Sequence, residues 1–220
     1  MQVRQTDLQI RAHKNLTAEA TRAVLRARSD LERYIERVPE FADSFSPLPL
    51  DPRAPIIVQT MLQAGVDYAV GPMAAVAGAV AERVGWELLR VSTDVIVENG
   101  GDIFLKMSRP VQLGLYAGEQ SPFTRRIVLK LDCAGQARGI CTSSGTVGPS
   151  VSLGKADAVV TVAESAALAD AAATAIANRI QTPDDIERAL ETERTKGNLL
   201  GCVVVMGDHL GAYGDVEIVD

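Results

Sequence analysis

The stretch Val95–Met107, VIVENGGDIFLKM, decides the fold of this chain. Two apolar runs flank Asn99-Gly100, and Asn-Gly between alternating apolar residues is a strong signal for a β-hairpin turn with positive φ angles. Because such a turn needs only one glycine, the second one, Gly101, suggests that a ligand approaches the backbone here. The stretch therefore predicts an antiparallel hairpin whose tip is either a plain turn or part of a binding site.

Further short strands are predicted on both sides of this hairpin. Leu8, Ile10 and Ala12 alternate with polar residues before it, which is typical of a strand with one buried face. The runs VQLGLYA and RIVLKLD alternate in the same way after it, as expected of antiparallel sheet. The strands predicted after the hairpin are Val111–Ala117, Ile127–Leu131, Ile140–Ser143 and the runs ADAVVTVAE, LLGCVVVMGD and DVEIVD.

Two helices rich in alanine and glycine are predicted, one from Pro72 and one from Ser165. Their side chains are so small that each helix must pack closely against a neighbour. Amphipathic helices are predicted near residues 16–38 and 182–197, and the proline-rich segment Pro39–Pro55 is expected to be a loop. We expect one α+β domain over residues 1–220, with antiparallel sheet layers covered by the two small-residue helices.

Composition narrows the classes of partner. The chain has 220 residues and a formal net charge of −6, without a basic cluster. Nucleic-acid binding is therefore not expected, whereas a small-molecule or protein partner is expected. The N-terminal residues lack an apolar segment, which predicts a cytoplasmic protein without a membrane partner. Three widely spaced cysteines, Cys133, Cys141 and Cys202, are expected to be buried free thiols.

The segment Thr142-Ser143-Ser144-Gly145 is a candidate phosphate site. Its hydroxyls and flexible backbone N–H groups are the donors that cradle phosphate or pyrophosphate. The segment lacks the GxxxxGK[ST] pattern of a Walker loop. A plain Ser/Gly-rich turn between strands explains the same residues, and both interpretations stay open.

Asp170 and Thr174 are a candidate metal pair, because a spacing of four puts both on one helix face that is otherwise alanine. Two protein oxygens suit Mg²⁺, which keeps waters and takes its other ligands from substrate phosphates. In the alternative, Thr174 bonds back to a main-chain carbonyl while Asp170 faces solvent.

Proton carriers are scarce in this sequence. Of its two histidines, His13 ends the first long strand and is expected at the surface. His209 lies beside Asp208 in a glycine-rich loop, so these two residues are candidates for a catalytic base; a plain surface role is the alternative.

In chain order, the motifs GPMAAVAGAVAE, ENGGDI, TSSG and ADAAATAIA resemble those of the ApbE superfamily of flavin transferases. The resemblance covers about half of the chain, Gly71 to Ile180. It implies an ApbE-like, T-fold-related α+β fold in a short cytosolic branch of the superfamily. It also implies FAD or FMN as ligand, Mg²⁺ as metal, and a protein partner or acceptor.

The resemblance carries over onto individual residues. Asp170 and Thr174 match the metal pair, joined in the family by a main-chain carbonyl that corresponds to Ala74–Ala77 here. The flavin nucleotide site is matched by two segments: Asn99, Gly100, Gly101, Asp102 and Thr142, Ser143, Ser144, Gly145.

The positions where this chain departs from the family's motifs determine the order of the functional hypotheses. The family's catalytic histidine is expected between the TSSG and DAAAT motifs, and this chain has no histidine there. The first hypothesis is therefore a flavin- or nucleotide-binding protein with a Mg-phosphate site, in a redox or sulfur-assimilation complex and possible as a homo-oligomer. The alternatives are a Mg²⁺-dependent transferase that moves FMN from FAD to a Thr or Ser of a target protein, and a homologue with a decayed site.

Overall fold

The computed structural model describes residues 1–3, 6–114, 123, 128–145, 153–214 and 216–219. Its strands are β1 (Gln2–Val3), β2 (Thr6–Ala12), β3 (Val95–Asn99), β4 (Asp102–Lys106), β5 (Val111–Gly114), β6 (Val128–Leu131), β7 (Ala137–Ser143), β8 (Ala158–Ala163), β9 (Gly201–Met206), β10 (His209–Gly214) and β11 (Glu217–Val219). Its helices are α1 (Thr17–Arg37), α2 (Glu40–Asp43), α3 (Ile56–Tyr68), α4 (Val76–Leu88), α5 (Ala166–Arg179) and α6 (Asp185–Lys196), and a 3₁₀ helix (Pro72–Ala75) leads into α4.

The main sheet has eight strands in the order β1-β2-β3-β4-β7-β8-β9-β10, and each neighbouring pair is antiparallel. One face carries the helices, and the largest apolar core lies between them and the sheet. A second core lies on the other face, where β11, β6 and β5 form a three-stranded antiparallel sheet. The α+β prediction with antiparallel layers is confirmed.

The hairpin predicted from Asn99-Gly100 forms with a register shifted by one residue. Asn99 pairs with Asp102, so Gly100 and Gly101 are the two turn residues. Their φ angles are +66° and +104°, a conformation that side chains disfavour. The prediction that one glycine suffices was wrong, because the turn itself requires both, and Gly101 alone is no sign of a ligand.

The two alanine-rich helices, α4 and α5, pack as closely as the sequence predicts. A Cβ atom on Gly78 of α4 would lie 2.3 Å from the carbonyl oxygen of Ala166 in α5. A Cβ atom on Gly139 of β7 would lie 2.3 Å from the Cα of the same alanine. The first turn of α5 is therefore held between a helix and the sheet by two positions that admit only glycine.

The structure differs from the sequence predictions in two places, and part of the predicted strands lies outside the described residues. The segment Pro39–Pro55 is not entirely loop, because α2 lies within it. Helix α3 was not predicted, although seven of its residues are buried. Of the predicted strands Val111–Ala117 and Ile127–Leu131, residues 115–117 and residue 127 lie outside the described part of the chain.

Burial tests the expectation for the cysteines, and helix length gives a separate finding. Cys133, Cys141 and Cys202 are buried free thiols, as predicted. Among the described residues, no single helix is long and apolar enough to cross a membrane; α3 together with Pro72–Leu88 meets that test only as a pair bent by 107°.

Candidate functional site

A cleft lies between the helical layer and the end of the main sheet where the β3–β4 hairpin turns. It consists of a first cavity of about 520 Å³ beside α1 and a second cavity of about 360 Å³ beside α2. The two cavities meet at a waist, which six residues line from both sides: Met73, Val76, Ala77, Asp102, Asp170 and Thr174. A ligand that runs from one cavity to the other must pass both aspartates.

Asp170 caps the N-terminus of α4 from the neighbouring helix. Its Oδ2 accepts a hydrogen bond of 2.9 Å from the backbone N–H of Gly78, which is in the first turn of α4 and has no acceptor within its own helix. Burial and the charge of Asp102 raise the pKa of Asp170 well above its ordinary value, while the N–H groups of Gly78 and Ala77 lower it. The Asp170 side chain is thus held in place, but its negative charge is disfavoured because the N–H groups do not offset burial and Asp102.

Glu82 of α4 makes the reciprocal cap on α5. One carboxylate oxygen, Oε2, accepts hydrogen bonds from Ser165 Oγ at 2.7 Å, from Ala166 N at 2.7 Å and from Ala167 N at 3.2 Å. The two caps cross between the helices and fix their relative position. Because Asp170 lies one turn beyond the capped end of α5, this arrangement also fixes where its side chain meets the waist.

Asp102 places a second carboxyl group at the waist. It is the first residue of β4 and is buried, and its Oδ1 accepts a hydrogen bond from Thr142 N of β7 at 3.3 Å. Burial raises its pKa to about 7, although bonds from Cys141 and Thr142 oppose this. The Cys141 thiol also lies beside both aspartates, and burial and their charges raise its pKa. The floor of the cleft therefore disfavours the negative charge of both carboxyl groups, and a bound cation would favour their ionised forms.

Thr174 carries a hydroxyl without a partner among the described residues. Four other helical threonines, Thr21, Thr60, Thr192 and Thr195, each donate to the carbonyl four residues earlier. Thr174 makes no such bond, so the alternative in which it bonds back to the main chain is wrong for this structure. Thr174 lines the waist together with Asp170.

These oxygen atoms fit Mg²⁺ on the chemistry of the donor set. Mg²⁺ prefers carboxylate and other hard oxygen ligands and keeps several sites for water and phosphate. The waist supplies a buried carboxyl group, that of Asp102, a half-buried one, that of Asp170, both with raised pKa values, and one hydroxyl without a partner among the described residues. The described residues hold no group of three or more His, Cys, Asp and Glu side chains suited to a metal, so a cation here would rely on ligand atoms as well.

Some residues of the hairpin tip line the cleft and others do not. Asn99 and Gly100 line the first cavity, and Asn99 Nδ2 donates to the carbonyl of Ala77 at 3.1 Å. That bond ties the hairpin to the first turn of α4. Gly101 is not among the lining residues, and a Cβ atom there would meet nothing within 4 Å.

Only part of the predicted phosphate segment lines the cleft. Thr142 and Ser143, at the end of β7, line the first cavity. Ser144 and Gly145 do not line either cavity. A Cβ atom on Gly145 would lie 2.3 Å from the carbonyl oxygen of Gly154, so close packing of two chain segments accounts for this glycine.

Asp208 and His209 lie away from the cleft, at the turn between β9 and β10. His209 Nδ1 is 2.8 Å from Asp208 Oδ1, and both side chains are exposed. Ser143, which lines the first cavity, lies at the end of β7 and pairs with Val159 of β8. Strands β8 and β9 lie between β7 and β10, so three inter-strand spacings of about 4.8 Å separate β7 from β10. Neither Asp208 nor His209 lines either cavity.

Sequence reasoning missed the contribution of α1 to the first cavity. Leu31 and Ile35 form an apolar wall there, and Arg28 bonds to Thr6 Oγ1 at 2.9 Å and to Glu32 at 3.0 Å. The helical periodicity marked α1 as amphipathic, but it could not indicate which neighbour the apolar face meets. Glu82 was missed as well, since its capping partners are more than 80 residues away in sequence.

The comparisons with known proteins agree with this fold. The family model described as AbpE bacteria matches residues 1–209. A UPF0280 protein of Methanococcus aeolicus is 45% identical over 202 residues, which are 90% of this chain and 81% of the relative. A UPF0280 protein of Methanopyrus kandleri is 42% identical over 96% of this chain and 88% of its own length.

One solved structure resembles the whole chain. The apo form of the Pseudomonas stutzeri flavinyl transferase ApbE superposes with a TM-score of 0.59, covering 97% of this chain and 96% of that one. The two sequences are 13% identical, so this likeness concerns the fold alone.

Proposed function

The chain belongs to the AbpE bacteria family, and so to the ApbE-like superfamily, and we propose that it binds a flavin nucleotide, FAD or FMN, together with Mg²⁺ in the two-cavity cleft. Asp170 and Thr174 are the proposed metal ligands. The proposed nucleotide contacts are the hairpin, Asn99 to Asp102, and the strand end, Thr142 to Gly145.

The waist between two cavities is the observation that carries this proposal. A dinucleotide such as FAD has a diphosphate between two flat ring systems, and the cleft has a polar waist between two cavities. Leu31, Ile35 and Val80 give the first cavity an apolar wall suited to a ring. When ionised, the carboxyl groups at the waist would repel a bare diphosphate, and a cation between them and the phosphates would remove this repulsion.

Mg²⁺ at the waist would neutralise phosphate oxygens and the two carboxylates together. The protein's own residues do the remaining work. The Glu82 and Gly78 contacts hold α4 and α5 in place, and Asn99 fixes the hairpin on α4. The ligand therefore meets oxygen atoms already held in position, which reduces the ordering cost of binding.

Transfer of FMN to a protein hydroxyl is the second candidate function, supported by the carboxyl group of Asp102 within the cleft. In that reaction the hydroxyl oxygen of a target Thr or Ser bonds to the phosphorus of the FMN half, the bond to the AMP oxygen breaks, and AMP leaves. Asp102 is the candidate acceptor for the hydroxyl proton, since Asp208 and His209 lie outside the cleft. Without transfer, a retained flavin would serve a redox or sulfur-assimilation complex.

Incubation of the purified protein with FAD and Mg²⁺ tests both functions. We expect flavin to stay with the protein through gel filtration, and to be lost when EDTA removes the metal. Release of AMP together with FMN covalently attached to protein would favour transfer, whereas retained FAD without AMP would favour binding alone. Absence of retained flavin with Mg²⁺ present would contradict the proposal.

A further inference from the structure

A separate cavity lies at the opposite end of the main sheet from the cleft. It has a volume of about 340 Å³ and is bounded by the ends of β2 and β3 and by β5 of the small sheet. The pairing of Ala12 with Val95 marks this end, whereas Asn99 and Asp102 mark the other. We call it the inter-sheet cavity; its volume falls within the range of about 300–1,000 Å³ typical of small-molecule sites.

The inner walls of the inter-sheet cavity are apolar and come from both sheets. Ile96 and Met107 belong to the main-sheet side, and Val111 and Leu113 belong to β5. All four also border the second hydrophobic core. The cavity is therefore an extension of that core that opens to solvent, and it can hold the apolar body of a ligand.

Two arginines face this cavity without an acidic partner among the described residues. Arg11 lies on β2 directly opposite Ile96 of β3, and so on the same face of the main sheet as Ile96, and Arg109 lies between β4 and β5. Other arginines of the described chain, such as Arg37, Arg83 and Arg188, form ion pairs with carboxylates. In a protein with a net charge of −6, two unpaired guanidinium groups beside an apolar cavity point to an anionic ligand.

Among the described residues, one carboxylate lines the cavity, and it is already bonded within the protein. Asp94 Oδ1 accepts from Ser108 N at 3.0 Å, and Oδ2 accepts from Ser108 Oγ at 2.8 Å. His13 Nε2 lies 3.4 Å from the same Oδ2. Asp94 is thus turned toward Ser108 and His13, and it leaves Arg11 and Arg109 available to a ligand.

We propose that the inter-sheet cavity binds a small organic carboxylate, with its apolar body between the sheets and its carboxylate on Arg11 and Arg109. Guanidinium groups suit this role because their planar N–H donors match the two oxygens of a carboxylate. The apolar walls exclude a bare inorganic anion as the preferred ligand. This site is independent of the flavin cleft, so either can fail without the other.

Hexanoate is a suitable probe, and ¹H–¹⁵N NMR of the full chain is the measurement. We expect hexanoate to shift the amide signals of Ile96, Val111 and Leu113 in a saturable manner. Acetate, which lacks the apolar body, and hexanol, which lacks the charge, should each bind at least about tenfold more weakly. Replacing both arginines, Arg11→Gln with Arg109→Gln, should weaken hexanoate binding by about tenfold or more.

The matched control is Arg26→Gln with Arg53→Gln, which removes the same charge from exposed positions outside the cavity. This control should bind hexanoate as the wild type does. Equal binding by the Arg11/Arg109 variant, equal binding of hexanol, or shifts confined to the flavin cleft around Val80 and Thr142 would overturn the proposal. A complete absence of hexanoate-dependent shifts would overturn it too.

Discussion

The two carboxylates that cap helices across the α4–α5 contact differ in one respect. Glu82 Oε2 accepts three hydrogen bonds from the N-cap and first turn of α5, whereas Asp170 Oδ2 accepts one, from Gly78, with the N–H of Ala77 also acting on that carboxyl group. A second carboxyl group, that of Asp102, lies beside Asp170. Burial and Asp102 raise the pKa of Asp170. The comparison teaches that a carboxylate at a helix N-terminus stabilises the fold when its oxygen atoms are saturated with hydrogen bonds, and that an unsaturated one keeps an oxygen for the proposed ligand.

Removing the glycine between the two caps should have the largest effect on stability. Gly78→Ala would place a Cβ atom 2.3 Å from the Ala166 carbonyl oxygen and 2.9 Å from the Asp170 Cβ, so the helices must separate. We expect a loss of about 3 kcal/mol in the free energy of unfolding, measured by urea denaturation. Gly114→Ala, at a position with nothing within 4 Å, is the control. Equal stability of both variants would show that α4 and α5 are not in close contact.

Neutralising each cap separately tests the comparison itself. Glu82→Gln removes the charge from an acceptor of three bonds and should cost about 1–2 kcal/mol in the free energy of unfolding. Asp170→Asn keeps an acceptor for Gly78 but removes a disfavoured charge, so without metal at neutral pH it should cost nothing or stabilise. Glu164→Gln, an exposed change beside α5, is the control. If both cap variants lose equal stability, the distinction between a structural cap and a binding cap is wrong.

The carboxyl pair predicts an unusual pH dependence for the metal-free protein. The unfolded-state pKa of an aspartate is about 3.9, and burial raises that of Asp102 to about 7 in the fold. Because the folded value is the higher one, this contribution to stability is complete below about pH 4 and is lost as pH rises through about 7. We expect Asp102→Asn to gain stability relative to wild type, on the order of 2 kcal/mol, between those pH values.

Urea denaturation of wild type and Asp102→Asn at a series of pH values measures this difference. Saturating Mg²⁺ with FAD should reduce it, because the ionised carboxylates then gain a partner. A stability difference that stays constant from pH 4 to pH 8 would show that Asp102 does not titrate in this range.

Thr174 should give the smallest effect on stability. Its hydroxyl has no partner among the described residues, so Thr174→Val should change the free energy of unfolding by less than about 0.5 kcal/mol. The same change should weaken Mg²⁺-dependent FAD binding by about tenfold, measured by calorimetry. Thr60→Val, whose hydroxyl bonds to the Ile56 carbonyl, is the control and should not affect binding. A Thr174→Val variant that binds like wild type would remove Thr174 from the site.

The pattern of apolar residues predicted the elements better than it predicted their contacts. Alternation identified the strands around Val95–Met107, and small residues identified α4 and α5 as closely packed helices. The tip of the hairpin was misjudged because a two-residue turn here begins one position later than Asn-Gly implied. Helix α3 was missed because its apolar residues surround it on several sides and give little periodicity.

The candidate site was harder to predict because it depends on contacts between distant residues. Asp170 and Thr174 became candidates from their spacing on one helix and from the resemblance to the ApbE superfamily. Nothing local could indicate that the Asp170 carboxylate bonds to Gly78, 92 residues away. The role of Asp102 at the waist also follows from burial and from its bond to Thr142, and neither is visible in the sequence.

Calorimetric titration of FAD into the protein, with and without Mg²⁺, tests most directly whether the under-saturated cap is the metal site. Wild type should bind FAD tightly only with Mg²⁺ present. Asp170→Asn, which should remain as stable as wild type, should weaken that binding by at least about 100-fold. Glu82→Gln, studied at a temperature where it stays folded, should retain most of it. Wild-type affinity in a folded Asp170→Asn variant would contradict the proposed site.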